Sequence, residues 1–198
     1  MKVIVMSAEM TGAFEPSDRT AVVRILDSSR RSQKSYPRLQ GRLYLEIFKY
    51  VFDDITLERM SPEELDKVIR DDGRVLFDEV IAERILDDIA SIEKDCETLL
   101  VHCNLGLSRS PAVAAGVMDI IERIDHALIP TPDHLKWLEE KMGVSSFLRP
   151  SRVRGFRKTT SQGLKTIYPY NEHVYETLVK VGKRKYPKSR RPARRPKT

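Results

Sequence analysis

One segment of the chain constrains its fold more than any other, because it carries an apolar strand, a tight loop and an apolar helix in succession. Residues 99–103 (LLVHC) form a short apolar run, which predicts a buried strand. Five loop residues and Arg109 follow, and Ser110-Pro111 then opens the apolar stretch AVAAGVMDIIERI, which predicts a buried helix. A buried strand that leads directly into a buried helix is typical of α/β domains.

The remaining segments extend the same pattern. Short apolar, β-branched runs predict further strands at 2–6, 21–26 and 43–52. Apolar residues at helical spacing and capping residues predict helices at 61–73, 77–94, 131–142 and 171–181, and the polar stretch 27–40 predicts a loop. The fold class that we expect is α/β, with a mostly parallel central sheet flanked by helices on both faces.

Basic residues are concentrated at the C-terminal end of the chain. From Gly182 to Thr198 there are nine lysines and arginines and no acidic residue, whereas the other residues include 26 basic and 29 acidic ones. The net charge of +6 therefore belongs to this segment, which we expect to be a disordered tail (182–198) behind a domain at 1–181. The tail could contact nucleic acid or another polyanion, act as a targeting signal, or only increase solubility.

Composition narrows the classes of protein to consider. No run of about 18 apolar residues is present, so we expect no membrane-spanning segment. The N-terminal MKVIVMSAEM becomes polar too early for a signal peptide, and Cys96 and Cys103 form no disulfide framework. We therefore expect an intracellular, cytoplasmic protein with free thiols. The histidines and cysteines lack the spacing of a zinc site, so no metal is expected.

The loop between the predicted strand and helix has the features of an anion-binding site. A loop at a helix N-terminus directs several backbone N–H groups into one concavity, which can hold a phosphate dianion. Such a field favours a thiolate, so Cys103 is expected to be a nucleophile beside the bound phosphate. Arg109 can hold two phosphate oxygens with its planar guanidinium, and Gly106 permits a backbone turn that a side chain would obstruct.

The sequence HCNLGLSRS at 102–110 resembles the HCxxGxSRS motif of the protein-tyrosine and dual-specificity phosphatases. Other segments resemble compact bacterial and viral members of that family: VVRILDSS at 22–29, FDDI at 52–55 and YPYNEHVYETL at 168–178. The resemblance covers roughly residues 1–181, which would then be a phosphatase catalytic domain, and the cysteine loop is its most specific part.

The resemblance implies a phosphocysteine mechanism that needs no metal or organic cofactor. It assigns Cys103 as the nucleophile, Arg109 as the phosphate clamp and Ser110 as the hydroxyl that eases departure of the thiolate, while His102 tunes the thiol. The implied phosphate-binding residues are those of the loop and the arginine: Asn104, Leu105, Gly106, Leu107, Ser108 and Arg109. An aspartic acid is expected to protonate the leaving oxygen and later to activate water.

Four aspartates are candidates for this general acid. The sequence Phe52-Asp53-Asp54-Ile55 resembles the acid loop of the family and favours Asp54, with Asp53 as the supporting or second choice. The usual spacing between acid and cysteine in the family points instead to Asp71 or Asp72. If the acid is Asp54, residues 56–76 are an inserted lid that contains a helix, and Asp53 caps that lid.

The implied substrate is a phosphorylated protein, with phosphotyrosine first and phosphoserine or phosphothreonine as an extension. The loop interior contains no lysine, which argues against phosphoinositides. An RNA 5′-phosphatase, which the basic tail could serve, and an inactive phosphate-binding module are the alternative functions. Cys96 is interpreted as a structural residue, and the alternative is that it forms a disulfide with an oxidised Cys103.

Overall fold

The computed structural model describes residues 1–57, 60–120, 158–159, 165–166 and 170–187. Its main sheet has four strands: β1 (Lys2–Ser7), β2 (Thr20–Leu26), β3 (Glu46–Val51) and β4 (Thr98–Cys103). The strand order is β1-β4-β2-β3, and every neighbouring pair is parallel. The expected parallel sheet is thus confirmed. A separate antiparallel pair is formed by β5 (Lys158–Thr159) and β6 (Lys165–Thr166).

Strand β4 lies between β1 and β2, so it is covered on both edges as well as on both faces. Cys103 at its C-terminal end is in register with Ser7, and His102 is in register with Arg24. Because parallel strands end at the same edge of a sheet, the residues that follow β1, β2, β3 and β4 meet around Cys103.

Within the described ranges, six α-helices connect or flank the strands: α1 (Ala8–Ala13), α2 (Arg30–Lys34), α3 (Pro62–Arg70), α4 (Glu79–Ile92), α5 (Arg109–Ile120) and α6 (Glu172–Lys185). The predicted start of α3 is confirmed, since Ser61 and Glu64 form a capping box and Pro62 is its first residue. Helix α2 and the 3₁₀ turn Gly41–Leu43 lie in or beside the predicted loop 27–40, and α1 was not predicted. Both α1 and α2 have six residues or fewer, too few for a helical period to show in the sequence.

The two faces of the sheet are covered differently. Val5, Val23 and Val101 belong to the larger core, which α4, α5 and α6 cover. Ile4 and Leu100 point to the opposite face, which α1 and the segment before β3 cover. Helices therefore flank both faces, as the sequence predicts.

The last helix is longer than the sequence indicates. It was predicted to end at Val181, but α6 continues to Lys185, so residues 182–185 are helical and not part of a disordered tail. The physical reason is close packing: Gly182 is buried, and a Cβ there would come within 2.5 Å of the Ile120 side chain. The predicted helix 131–142 and the tail from 188 onwards lie outside the described residues.

Candidate active site

Cys103 lies where the buried strand β4 ends and the loop to α5 begins. Its Sγ is 3.2 Å from the Oγ of Ser110, which belongs to the first turn of α5 and is fully buried. The loop therefore returns the chain to its starting point within a few residues. Gly106 has a φ of 73°, a left-handed conformation that other residues adopt at a cost. This confirms the turn that the glycine predicts.

Arg109 is held in place by two partners, each of which directly follows another strand. Its Nη1 donates a hydrogen bond to the Phe52 carbonyl oxygen (2.8 Å), and its Nη2 pairs with Asp27 Oδ1 (2.7 Å). The side chain is 5% exposed, and its Nε has no hydrogen-bond partner among the described residues. Burial alone would lower the pKa of Arg109, but the charges of Cys103 and Asp27 outweigh this and raise it. The guanidinium thus stays charged.

Asp27 is a site residue that the sequence did not single out. It follows β2, and besides pairing with Arg109 it accepts a long hydrogen bond (3.4 Å) from the Tyr36 hydroxyl. Burial is the main cause that raises the pKa of Tyr36, so the hydroxyl stays protonated and donates. The only sequence signal was that Asp27 ends an apolar strand, next to a polar segment.

Asp54 is joined to the cysteine loop by hydrogen bonds. Its Oδ1 accepts from Ser108 Oγ (2.7 Å) and from Asn171 Nδ2 (2.9 Å). Asn171 also donates to the Ile55 carbonyl oxygen and caps α6 by accepting from the Val174 N–H group. The end of β3, the cysteine loop and the start of α6 therefore meet at this carboxylate.

Asp53 has different surroundings from its neighbour. Its two carboxylate oxygens accept hydrogen bonds from the backbone N–H groups of Ser28 (3.1 Å) and Val75 (2.8 Å). Burial raises the pKa of Asp53, but these hydrogen bonds and the charge of Arg109 outweigh it and lower the pKa overall. Asp53 thus ties the segment after α3 to the end of β2, whereas the cap of α3 itself is Ser61.

The other two candidate acids lie at the C-terminal end of α3. Asp71 and Asp72 are exposed, and their backbone N–H groups contact Lys67. Within the described part of the chain, neither makes a hydrogen bond or an ion pair with the residues of the cysteine loop. Of the four aspartates, Asp54 is the one that bonds directly to that loop.

His102 precedes the cysteine and points to the opposite face of the sheet. It is fully buried, its ring centroid is 6.0 Å from that of Tyr36, and neither ring nitrogen has a hydrogen-bond partner among the described residues. Burial, helped by the charge of Arg24, lowers the pKa of His102 to about 3. The imidazole is therefore neutral near pH 7.

Cys96 is too far away to form a disulfide with Cys103. It lies just before β4, and its Sγ donates to the Thr98 carbonyl oxygen (3.2 Å). A strand rises about 3.3 Å per residue, so seven residues place the two cysteines roughly 20 Å apart. Disulfide geometry needs Cα atoms within about 7 Å, so this fold supports the structural interpretation of Cys96.

Two further findings concern ligands and membranes. In residues 1–57, 60–120 and 170–187, no three His, Cys, Asp or Glu side chains are grouped closely enough to hold a metal ion. None of the helices in these ranges combines the length and the apolar character that crossing a membrane requires.

Comparison with known proteins gives one structural likeness. No protein-family model matches the chain, and no curated protein matches it significantly. A solved structure titled "Crystal structure of Tk-PTP in the active form" is similar over 91% of this chain and 92% of that one, with a TM-score of 0.42 and 16% identity.

Proposed function

We propose that the chain is a phosphoric monoester hydrolase of the protein-tyrosine/dual-specificity type. The observation that carries the proposal is the meeting of four side chains at the end of β4. The Cys103 thiol contacts the Ser110 hydroxyl, the Arg109 guanidinium is buried and fixed by Phe52 and Asp27 beyond the same end of the sheet, and Asp54 bonds to the loop between them. The proposed substrate is phosphotyrosine in a protein, with phosphoserine and phosphothreonine as an extension.

In the first proposed step, the Cys103 thiolate attacks phosphorus. A sulfur–phosphorus bond forms as the bond between phosphorus and the tyrosine oxygen breaks, and Asp54 gives its proton to the leaving oxygen. Ser108 and Asn171 support this role, because their hydrogen bonds hold the carboxylate beside the loop. The products of this step are the dephosphorylated tyrosine and phosphocysteine.

In the second proposed step, water replaces the cysteine. The Asp54 carboxylate takes a proton from water as its oxygen attacks phosphorus, the phosphorus–sulfur bond breaks, and inorganic phosphate leaves. The Ser110 hydroxyl lies within hydrogen-bonding distance of the departing sulfur, where it can stabilise the thiolate.

Arg109 is proposed to stabilise the charge that spreads over the phosphoryl oxygens in both steps. Its Nη atoms are bonded to Phe52 and Asp27, so the guanidinium plane is fixed before substrate binds. Its buried Nε–H group, unpartnered among the described residues, supports this role because a phosphate oxygen would be a suitable acceptor.

The proposal is tested by assaying the full chain on p-nitrophenyl phosphate and a phosphotyrosine peptide, with reductant and without metal. Cys103→Ser is expected to abolish turnover, and Asp54→Asn to lower kcat by about 10²- to 10⁴-fold. Asp53→Asn is the matched control. It is expected to keep a near-normal kcat but to lower the free energy of unfolding by about 1–3 kcal/mol, since it leaves a buried N–H group unpaired.

Each of the other outcomes would contradict a different part of the proposal. A normal kcat in Asp54→Asn would remove Asp54 as the acid and leave the phosphatase proposal standing. A wild-type protein that is inert on both substrates would overturn the protein phosphatase, and RNA with a 5′-triphosphate would be the next substrate to assay.

A further inference from the structure

A cavity of about 780 Å³ lies on the face of the sheet opposite α4, α5 and α6. Its floor is formed by β2 and β3, and its wall by the segment that joins them. No residue of the cysteine loop lines it, and Tyr36, whose hydroxyl bonds to Asp27, is the lining residue that connects it to the proposed catalytic site. It is a site to which the phosphatase chemistry gives no role.

Positive charge predominates in this cavity. Arg24, Arg38 and Lys49 all line it, and Arg24 and Lys49 are in register on neighbouring strands. Glu46 is the one acidic residue of the described lining, and its carboxylate accepts from the Ile47 N–H group. It lies three residues before Lys49, about 10 Å along the strand. Among the described residues, this carboxylate forms no ion pair with any of the three cations.

Arg24 is a buried cation without a counter-ion among the described residues. Its residue is 8% exposed, one N–H group donates to the Pro37 carbonyl oxygen (2.7 Å), and the guanidinium lies 5.5 Å from the centre of the Tyr36 ring. Burial lowers its pKa, and no carboxylate in the described residues is within ion-pair distance. Holding an unpaired charge in such a place costs free energy, which a bound anion would offset.

The exposed cations of the cavity are also unpaired. Within the part of the chain that the structure describes, Arg38 and Lys49 make no ion pair or side-chain hydrogen bond. The hydroxyl-bearing rings of Tyr36 and Tyr44 complete the wall, and burial raises the pKa of both, so both hydroxyls stay protonated. The Tyr36 hydroxyl donates to Asp27, which leaves that of Tyr44 as the donor for a ligand. Donors and positive charges thus predominate over acceptors in one space.

We propose that this cavity binds a phosphate group carried by a small molecule. A guanidinium matches two oxygens of a phosphate, and Arg38 and Lys49 complement the rest of its charge. The cavity is much larger than a single phosphate, and its tyrosine rings provide an apolar surface for an attached organic part.

The test is a titration of the ¹⁵N-labelled full chain with orthophosphate, followed by amide chemical shifts. Saturable shifts are expected at Tyr44 and Lys49, in a set distinct from the amides of 104–110. Arg24→Gln is expected to abolish the first set and to leave the second. Arg42→Gln, an exposed arginine on the same segment that does not line the cavity, is the matched control and is expected to change neither.

Because Arg24 is buried, its variant could fail to fold, so a second variant keeps the test decisive. Arg38→Gln with Lys49→Gln changes only exposed side chains and is expected to weaken binding about tenfold or more. Unchanged binding in this double variant would overturn the proposal. It would also be overturned if sodium chloride of equal ionic strength produced the same shifts. Shifts confined to 104–110 would refute this site and leave the proposed phosphatase intact.

Discussion

The two cysteines lie at opposite ends of β4, equally buried but among different neighbours. Cys103 is 3% exposed and Cys96 is 4% exposed. At the C-terminal end the sulfur contacts the Ser110 hydroxyl in the electric field of the buried Arg109 guanidinium, whereas at the N-terminal end it bonds to the Thr98 carbonyl oxygen within the apolar core. Because residue type and burial are the same at both ends, any difference in reactivity between the two thiols is expected to follow from what surrounds each of them.

Alkylation provides the largest expected contrast between the two ends. Burial raises the pKa of the Cys96 thiol, which disfavours the nucleophilic thiolate. We expect iodoacetamide to modify Cys103 about 100-fold faster than Cys96 in the native protein, as measured by peptide mass spectrometry over time. Orthophosphate is expected to protect Cys103 alone.

Equal rates at the two cysteines would contradict this comparison. Cys96→Ser serves as the control, because it removes the slower site and is expected to leave the rate at Cys103 unchanged. If phosphate failed to protect Cys103, the loop would not be an anion site, whatever the relative rates.

The carboxylates near the two ends of β4 give the next contrast. Asp27 fixes Arg109 by an ion pair in which the two side chains are 19% and 5% exposed, and Asp95, next to Cys96, has an exposed side chain. Asp27→Asn is expected to lower kcat/KM by about 10²-fold, because a misplaced guanidinium no longer matches the phosphoryl oxygens. Asp95→Asn removes the same charge and is expected to have no effect on kcat/KM.

A purely structural role for Asp27 would give a different pattern. In that case the free energy of unfolding would fall and kcat/KM per folded molecule would stay normal. Urea denaturation beside the kinetic assay separates the two outcomes. Recovery of activity in Asp27→Glu, which restores the negative charge, would support the positioning role.

Sequence predicted the C-terminal end of β4 better than the contacts that other segments bring to it. The strand, loop, helix and Gly106 could be predicted because each depends on neighbours in the chain. Asp27 and Asn171 are distant in sequence from Arg109 and Asp54, and nothing local specifies their contacts. Their importance follows from parallel strands ending at one edge, which needs the strand order to be known.

At the basic end of α6, contacts with residues distant in sequence again determine the structure. Its lysines and arginines look like the start of a solvated tail, so the predicted boundary was placed at residue 181. In the fold, Arg184 pairs with Glu79, and Lys185 pairs with Asp87, both of α4. Ion pairs at the surface contribute little to the free energy of unfolding. The two pairs nevertheless show that the basic residues of α6 complement acidic residues of α4.

The dependence of stability on pH gives the smallest contrast between the two ends of β4. The end with His102 should lose stability in acid, and the end with Cys96 should lose it in alkali. The folded-state pKa of His102 is about 3, below its ordinary value of 6.5, so the unfolded chain binds the extra proton between these limits. Stability is therefore complete above pH 6.5 and lost as pH falls, by up to about 1.4 kcal/mol per pH unit. His102→Asn is expected to flatten this acid limb in urea denaturation between pH 6.5 and 5.

At the N-terminal end of β4, Cys96 is expected to make the folded protein less stable at alkaline pH. Its folded-state pKa is raised above 9 by burial, so above pH 9 the unfolded chain releases a proton that the folded chain keeps. Stability is then complete below pH 9 and falls as pH rises. Cys96→Ala is expected to reduce this slope between pH 9 and 10 without removing it, because buried tyrosines such as Tyr36 and Tyr50 also ionise more readily in the unfolded chain. The comparison would fail if His102→Asn altered the alkaline side of the stability profile and Cys96→Ala the acid side, or if neither variant altered the profile. The two ends of β4 would then not differ electrostatically in the way that their contacts indicate.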